Sequence, residues 1–547
     1  MAIREFSLAG VPRAKIAFFK ELPPASDLSR FTERKFQCQA CTEADLLNPN
    51  YVKQLDAVVF SQNPTQRNAL SPILAATVKV LLNHGVRVYI RIAPDPNETT
   101  SARSLIVNSM ARNDVPLANI TPAERELIPR SSREREGSLL PPYVYIVGSA
   151  VNWIELAHIV CDNPAENIPN SELSIDGYDF RLLEPMSFDE IVLLIQRSFY
   201  DCREIHFKTL VPGLSGAPVF KAYATLSEGL VGDWPYLHFI KIGPRKKIAD
   251  EYDKYIGRAI DYVPFHLGPR LRLDRCNLGS TLGVLVGDFV EGAEPIRDSA
   301  PAGRATHAIA NLFDKTLGSW RKQAKTESIR TLAQFLEDKW LYDDQREIEL
   351  PSGRATIVTR LGGDPAVAPM RTIASRCTYT PVLCAPAHGD LHATNVLVRG
   401  SDAIIIDFEK MTDHYPLLYD PASLEGGLLV EALRHDRRSA EDPAALLAAI
   451  APLYHLNVLE ELFCPCRASD PLVWFHECIG QIRTLSRPLE RPIGRYGQYA
   501  MVLAMCLVRK GCNPHGFEAA QENLRAIAFV LGQRIFRQLD EQLSNHN

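Results

Sequence analysis

Apolar and polar residues along the first 200 positions follow a pattern that predicts strands separated by helices. Residues 71–83 have the period of an apolar-faced helix, with a Ser cap and a Pro in the first turn, and Gly85 closes the helix. The predicted strands around it are residues 14–20, 36–41, 56–60 and 86–92. Strand, helix and strand joined by short connections predict a parallel sheet covered on both faces.

The remainder of this region continues the alternation after one interruption. Residues 94–142 are rich in Pro, Ser, Arg and Glu and predict a helix with a surface loop. A strand at 143–148 and a helix at 150–160 follow. The region closes with a strand, a Pro and an amphipathic helix capped by Ser187. We therefore predict a doubly wound α/β domain over residues 1–200.

Short strands replace this alternation from Ile205 onward. Gly213 and Gly216 stand between two β-rich runs, the layout of a hairpin whose backbone can approach phosphates closely. The next strand carries Lys241, and the helix after it carries Glu251 in its first turns. Such a pair can hold an ammonium against phosphate groups, although each residue alone is compatible with an ordinary surface position.

The second half of the chain is predicted to be mostly helical. An apolar strand after residue 278 runs into an acidic, glycine-ended segment, which is typical of a hinge between two lobes. Residues 301–374 predict helices, with a hairpin at Ser352 and Gly353. Helical patterns then continue from about residue 444 to the C-terminus.

Residues 387–409, AHGDLHATNVLVRGSDAIIIDFE, concentrate the candidate chemistry of the chain. A His–Asp pair is followed by an Asn five residues after the Asp, then by an apolar strand and a second Asp. Two carboxylates and an amide on short loops beside strands provide the hard oxygen ligands that Mg²⁺ and bound triphosphates require. Core packing does not explain this order of residues.

The composition excludes several classes of partner. The 547 residues are 46% apolar and 23% charged, with a formal net charge of −5. This balance provides no general attraction to nucleic acid or to an anionic membrane surface. The first residues lack the apolar run of a signal peptide, and no run approaches the roughly 18 apolar residues of a membrane span. We therefore predict a cytoplasmic protein with no nucleic-acid or membrane partner.

Twelve cysteines are scattered along the chain and predict reduced thiols instead of a disulfide framework. Cys38 and Cys41 form a CxxC sequence, but no second pair has the spacing of a zinc site. We interpret both as small apolar residues on a strand.

From about residue 205 onward the motifs come in the order glycine hairpin, strand Lys, helix Glu, HGD and DFE. In this order the chain resembles the aminoglycoside phosphotransferase and choline kinase branch of the protein-kinase-like fold. The resemblance implies a two-lobed α+β domain. Its N-lobe is predicted at 201–292 and its C-lobe at 293–547, with a helical insert at about 301–375 where acceptor specificity is expected.

The resemblance also implies a role for each motif residue. Asp390 would orient the acceptor hydroxyl and accept its proton, His388 would brace that loop, and Asn395 and Asp407 would hold Mg²⁺. His392 stands two residues after the base, where protein kinases have Lys and this branch has His. The residues implied to bind ATP are Gly213, Ser215, Gly216, Lys241, Glu251, Asp288 and Val290.

Two further positions differ from the motifs of protein kinases and affect the roles that the resemblance implies. The hairpin has only two glycines and contains Pro218, which puts tight coverage of the triphosphate in doubt. Glu409 replaces the Gly of DFG, as in the small-molecule branch, so a protein-kinase-type activation-loop flip is not expected.

Residues 10–200 resemble, by pattern more than motif, a degenerate receiver domain of bacterial response regulators. Glu184 and Pro185 stand where that family has Lys-Pro, and Phe60 and Ser61 end the strand that should carry its phosphoacceptor Asp. The resemblance implies a pseudo-receiver that binds a protein partner without phosphate chemistry. A generic flavodoxin-like scaffold is the equally weighted alternative.

Taken together, these features predict an ATP- and Mg²⁺-dependent phosphotransferase acting on a hydroxyl of a small molecule or a protein. The N-terminal domain is expected to regulate it or to bind a partner. The alternative is a catalytically weak or inactive kinase-like scaffold that binds nucleotide.

Overall fold

The computed structural model of the chain divides into two compact units, Met1–Asp253 with Arg270–Phe289, and Lys254–Pro269 with Val290–Asn547. It describes residues 14–545 except 21, 33–35, 53–54, 56, 63–76, 79–80, 82–85, 93–116, 121–143, 148–150, 163–168, 171, 184–185, 187, 211–216, 228–234, 279–281, 341, 344–345, 462–470, 490–496 and 515–517.

The N-terminal part of the first unit is the predicted parallel sheet. Its strands are β1 (Ala14–Phe19), β2 (Phe36–Cys41), β3 (Ala57–Gln62), β4 (Arg87–Ile92), β5 (Leu117–Ile120) and β6 (Val144–Val147). The described helices beside it are α1 (Ala25–Thr32), α2 (Glu43–Leu46), α3 (Pro49–Val52) and α4 (Trp153–Asp162). The order β2-β1-β3-β4-β6-β5, with every neighbouring pair parallel, is that of a doubly wound sheet.

Alternating residues of these strands build the core of the sheet. Ile16 and Phe18 of β1 are buried against Phe31 of α1 and Leu156 of α4. Cys38 and Cys41 lie on β2 as free thiols, as predicted. Burial raises the pKa of the Cys41 thiol to about 12, and Asp45 acts in the same direction, so this thiol is not reactive.

Several sequence predictions for this region fall outside the described residues. They include most of the helix at 71–83, most of the segment at 94–142 and the pair Glu184 and Pro185. Within 94–142 the described residues form the strand β5, where the sequence pattern predicted a helix and a loop.

A second, mostly antiparallel sheet completes the first unit. Its strands are β7 (Ser174–Asp176), β8 (Cys202–Thr209), β9 (Val219–Leu226), β10 (Tyr236–Pro244), β11 (Asn277–Leu278) and β12 (Leu282–Asp288), in the order β11-β12-β10-β9-β8-β7. Its helices are α5 (Phe188–Ser198) and α6 (Arg245–Lys254). β8, β9 and β10 are consecutive antiparallel neighbours, as the run of short strands predicts.

The structure corrects the place of the helix that was predicted to close the N-terminal domain. The apolar face of α5 packs into the core of the second sheet, where Glu190 Oε1 accepts a hydrogen bond of 3.0 Å from the backbone N–H of Leu282. The predicted strand before it is a 3₁₀ turn, Phe180–Leu182, and the strand is β7 instead. Amphipathic periodicity indicates that a face is buried, but it does not identify the sheet that buries it.

A buried histidine on β10 makes the stability of this sheet sensitive to acid. His238 is 3% exposed, and burial lowers its pKa from 6.5 to about 4, with the charges of Arg275 and Arg272 acting in the same direction. The unfolded chain therefore binds a proton between pH 6.5 and 4 that the folded chain does not. Stability is full above this window and falls as the pH decreases through it, by at most about 3 kcal/mol.

We expect urea unfolding followed by circular dichroism to show this loss between pH 7 and pH 4.5, and to show less of it in His238→Gln. The glutamine fills a similar volume without titrating. An equal loss in both proteins would exclude His238 as the source.

The described residues of the second unit form three small sheets and most of the described helices. The strands are β13 (Glu294–Pro295), β14 (Lys325–Glu327), β15 (Tyr342–Asp343), β16 (Arg346–Glu347), β17 (Val382–Ala387), β18 (Val396–Arg399), β19 (Asp402–Ile405) and β20 (Thr412–Pro416). They form the sheets β13-β18-β19, β14-β17-β20 and β15-β16.

The α-helices of this unit cover those sheets. They are α7 (Ile296–Ser299), α8 (Thr306–Asn311), α9 (Gly318–Arg321), α10 (Leu332–Trp340), α11 (Ser352–Arg360), α12 (Ala368–Arg376), α13 (Tyr419–Gly427), α14 (Arg438–Glu441), α15 (Pro443–Ile450), α16 (Leu456–Glu461), α17 (Val473–Ser486), α18 (Gln498–Cys512) and α19 (Ala519–Asn545). The described part of this unit also contains three π-helical segments, Tyr255–Ala259, Leu312–Thr316 and Leu428–Ala432, and three 3₁₀ segments, Leu433–His435, Ala451–Tyr454 and Arg487–Leu489.

The hairpin predicted at Ser352 and Gly353 is wrong, because helix α11 begins at Ser352. Arg354 is 1% exposed, its guanidinium pairs with Glu522 of α19 at 2.6 Å, and it also donates to the carbonyl of Asn513. The Pro-Ser-Gly sequence favours a turn locally, but this long-range ion pair and the burial of Val358 stabilise a helix. A short hairpin does occur just before it, between β15 and β16.

Helices α18 and α19 cross at close range in the core of this unit. A Cβ on Gly511 would lie 2.6 Å from Cβ of Phe529, and one on Gly532 would lie 2.9 Å from the carbonyl oxygen of Ala504. Only glycine permits this approach. Among the described helices, none is both long and apolar enough to cross a membrane.

Candidate active site

The β18–β19 hairpin brings two of the predicted metal ligands to the same end of one element. Val396 pairs with Ile405 in antiparallel register, so Asn395, which precedes β18, and Asp407, which follows β19, lie at the open end. Gly400, with φ +61°, makes the tight turn at the other end. The backbone N–H of Ile406 donates to the carbonyl of Asn395 at 3.0 Å, which joins the two segments.

The HGD segment before this hairpin is clamped by a buried carboxylate. Asp420, at the start of α13, accepts hydrogen bonds from the backbone N–H groups of His388 (2.8 Å) and Gly389 (2.9 Å), one on each oxygen. Gly389 has φ +74°, which a residue with a side chain rarely adopts. The backbone next to Asp390 is therefore held in one conformation.

His388 lies beneath this loop and does not reach solvent. Its side chain is 0% exposed, and Nε2 lies 3.0 Å from the carbonyl oxygen of Ile406. The ring also lies 5.8 Å from the ring of Phe408, centre to centre. This position joins the HGD segment to the DFE segment, and it fits a bracing role instead of direct contact with a substrate.

Asp390 is the accessible carboxylate of this group. Its side chain is 49% exposed, while its own carbonyl accepts a hydrogen bond of 3.0 Å from Nδ2 of Asn395. The carboxamide oxygen of Asn395 is not used by that bond. The loop thus presents a carboxylate to solvent and orients an amide oxygen beside it.

His392 is buried beside Asp390 and is paired with a second carboxylate. Nδ1 lies 3.3 Å from Glu431, and Nε2 lies 3.9 Å from Oδ2 of Asp390. Burial favours the neutral ring, but the charge and hydrogen bond of Glu431 outweigh it, so the pKa of His392 lies above its usual value. Burial would raise the pKa of Glu431, but the charge of His392 and its hydrogen bond lower it to about 2. Both pKa shifts favour the charged form of the group concerned.

Asp407 has a backbone conformation that is rare for a residue with a side chain. Its φ is +67°, as expected where surrounding contacts impose a strained conformation at a functional position. An oxygen of Glu409 lies within 4.8 Å of an oxygen of Asp407. Carboxylates and the Asn395 amide are hard oxygen donors, so the residues present fit Mg²⁺.

Helix α13 packs directly on the loop that carries these residues. A Cβ on Gly427 would lie 2.8 Å from the backbone N of Ala393 and 3.1 Å from Cα of His392. The glycine therefore lets the helix lie against the loop backbone, which further restricts the loop.

In the first unit, Lys241 and Glu251 form the predicted ion pair. Lys241 lies on β10 and Glu251 on α6, with Nζ 2.7 Å from Oε2, and their side chains are 8% and 9% exposed. The carboxylate thus holds the ammonium at a fixed position beside the sheet.

The remaining predicted nucleotide-binding residues are placed in part. Gly213, Ser215 and Gly216 lie outside the described residues. Asp288 ends β12, and its carboxylate pairs with Arg272 at 2.9 Å. Val290, in the other unit, is partly exposed.

Three residues of the second unit were not singled out as site residues from the sequence. Asp420, Glu431 and Glu409 all contact or adjoin the predicted catalytic and metal-binding positions. Only one feature of the sequence could have indicated them. Asp420 and Glu431 are acidic residues within an otherwise largely apolar helical run. Buried charge of this kind calls for a partner.

Comparisons with known proteins relate the chain to several groups. Residues 363–489, which include the HGD and DFE segments, match the family model described as "Ternary complex associated domain 9". A search of curated proteins found no match. The residues that match the family model make up less than a quarter of the chain.

Among solved structures, the chain is similar to amicoumacin kinase in complex with AMP-PNP and Ca²⁺, at 12% identity and TM-score 0.34, covering 61% of this chain and 88% of that one. It is similar to an aminoglycoside phosphotransferase from Streptomyces rimosus at 18% identity and TM-score 0.27, and the match covers 55% of this chain and 99% of that one. It is similar to choline kinase from Cryptosporidium parvum at 10% identity and TM-score 0.28, and the match covers 62% of this chain and 90% of that one.

Proposed function

We propose that this protein is a Mg²⁺- and ATP-dependent phosphotransferase of the protein-kinase-like fold, which transfers the γ-phosphoryl group to a hydroxyl. The observation that carries the proposal is the loop from His388 to Asn395, which the buried Asp420 holds while the Asp390 carboxylate stays accessible. The buried Lys241–Glu251 pair supports it independently.

The chemistry follows from the residues. Asp390 accepts a hydrogen bond from the acceptor hydroxyl, orients it for in-line attack and takes its proton as the new P–O bond forms and the bond to ADP breaks. Lys241 binds phosphate oxygens and is held by Glu251. Asn395 and Asp407 would hold Mg²⁺, which would supply positive charge for the phosphates. Little covalent help is needed, so positioning of this kind dominates.

For the acceptor, we propose a hydroxyl-bearing small molecule or protein, with specificity in the insert at about 301–375. The N-terminal sheet is proposed to be a regulatory or partner-binding domain with the pattern of a pseudo-receiver. A protein partner is further supported by the description of the matching family model, which names association with a ternary complex.

Asp407→Asn tests the proposal. We expect phosphate release from Mg·ATP to fall about 10²- to 10³-fold, because the amide removes the charge that holds the metal. The matched control is Asp402→Asn, which makes the same chemical change on β19. Asp402 lies near the opposite end of the hairpin, opposite Arg399 in the strand register. The control should turn over ATP as the wild type does.

Two results would count against the proposal. Equal turnover in Asp407→Asn and the wild type would contradict the metal role. Thermal stabilisation of the wild type by Mg·ATP without phosphate release or a phosphorylated product would instead favour a nucleotide-binding scaffold.

A further inference from the structure

Glu431 lies behind the catalytic loop, in the π-helical segment that follows α13. Its side chain is 12% exposed, and Nδ1 of His392 lies 3.3 Å from its carboxylate. The cations of Lys510 on α18 and Arg525 on α19 also act on this carboxylate. Of these groups, His392 contacts the carboxylate and belongs to the loop that carries Asp390.

The ring of His392 lies between two carboxylates. Nδ1 faces Glu431, and Nε2 lies 3.9 Å from Oδ2 of Asp390. The side chain is 6% exposed, so water does not satisfy either nitrogen. Glu431 can accept a hydrogen bond at Nδ1, where the backbone N–H of Thr394 also lies at 3.4 Å, and Asp390 can accept one from Nε2. The hydroxyl of Thr394, 2.7 Å from Nδ1, further restricts the ring plane.

Asp390, in contrast, has a side chain that is half exposed, so burial alone does not fix its orientation. A carboxylate that must receive a proton from a bound hydroxyl is effective only in a narrow range of orientations. A buried N–H on one side of that carboxylate favours the orientation in which its other oxygen points toward solvent and the acceptor. The Nε2–Oδ2 separation of 3.9 Å is longer than a hydrogen bond, as is common before substrate binds.

We propose that Glu431 is a positioning residue for phosphoryl transfer, which holds the His392 ring so that Nε2 orients the Asp390 carboxylate. This inference rests on the proposed function. Glu431 acts only through His392, so its effect should depend on a histidine being present at 392.

That dependence can be measured with a double-mutant cycle on phosphate release from Mg·ATP. In His392→Gln, the terminal amide of Gln can donate to Asp390 from about the position of Nε2, and it needs no partner at 431. We expect Glu431→Gln to lower kcat about 10- to 100-fold in the wild-type background, with KM for ATP unchanged. In the His392→Gln background, Glu431→Gln should change kcat less than twofold.

A control separates positioning from a purely structural role of the same carboxylate. If Glu431 served only to anchor α18, Lys510→Met would lower kcat as much as Glu431→Gln does. We expect Lys510→Met to keep the kcat of the wild type.

The outcomes are distinct. Equal losses from Glu431→Gln in both backgrounds, or a matching loss in Lys510→Met, would overturn the inference while leaving the phosphotransferase proposal intact. No phosphate release from the wild type would overturn both.

Discussion

Replacing Asp390 with Asn is expected to lower kcat for phosphate release by about 10²- to 10⁴-fold, the range over which general-base catalysis acts. Asn keeps the shape of the side chain and can still accept a hydrogen bond, but it cannot take the proton of the attacking hydroxyl. The backbone should not move, because Asp420 and Asn395 bind the main chain of this loop and not the carboxylate.

Calorimetric titration with Mg·AMP-PNP provides the control for this variant. Asp390 is assigned to the acceptor, so the Kd for the nucleotide should stay within about twofold of the wild type, since an interaction confined to the transition state leaves ground-state binding unchanged. A large rise in Kd with little change in kcat would contradict the assignment of Asp390 as the base.

The second large effect is expected in the core of the second unit, where Arg483 and Glu425 are both 0% exposed. Arg483 donates to Glu425 at 2.6 Å and to the carbonyl of Leu453 at 2.9 Å, and the hydroxyl of Tyr499 donates to Glu425 at 2.6 Å. Glu425→Leu would leave a buried guanidinium without its anion, at a cost of about 3–5 kcal/mol. Hydrogen exchange of α18 and α19 amides should register this loss.

Removing both charges provides the test of this explanation. The double variant Glu425→Leu with Arg483→Met should regain much of the stability, because no unpaired charge remains. Glu441→Leu is the matched surface control: it breaks an ion pair with Arg437 in which the side chains are 68% and 88% exposed, and it should leave protection unchanged. A double variant as unstable as Glu425→Leu would show that packing, not charge, sets the cost.

Local patterns were sufficient for many of the elements. β1, β2, β3 and β4 lie where short apolar runs predict them, and β10 carries Lys241 as expected. These runs are short, rich in β-branched and aromatic residues, and bounded by polar turns, so their conformation is set largely by neighbours in sequence.

Elements stabilised by distant residues were predicted less well. The sequence around Ser352 favours a turn, yet Arg354 and its partner Glu522 are 168 residues apart and stabilise a helix. The amphipathic pattern of α5 is correct, yet its buried face meets the second sheet and not the first. In both cases the deciding contact is absent from the local sequence.

The candidate site also has one part that is readable from local sequence and one part that depends on distant contacts. By itself, the sequence determined the chemistry that is available: HGD, the Asn five residues after the Asp, the second Asp, and a strand Lys followed by a helix Glu. These groups are encoded in short segments, so the sequence by itself indicates a site for Mg²⁺ and phosphate groups. The expectation of phosphoryl transfer comes from the resemblance of their order to the phosphotransferase family.

Only the tertiary structure decided how that chemistry is held. Asp420 binds the backbone of the HGD segment from 32 residues away, and Glu431 meets His392 across 39 residues. Both are ordinary acidic residues in sequence, and they gain their roles because the fold removes each carboxylate from water and brings hydrogen-bond donors to it.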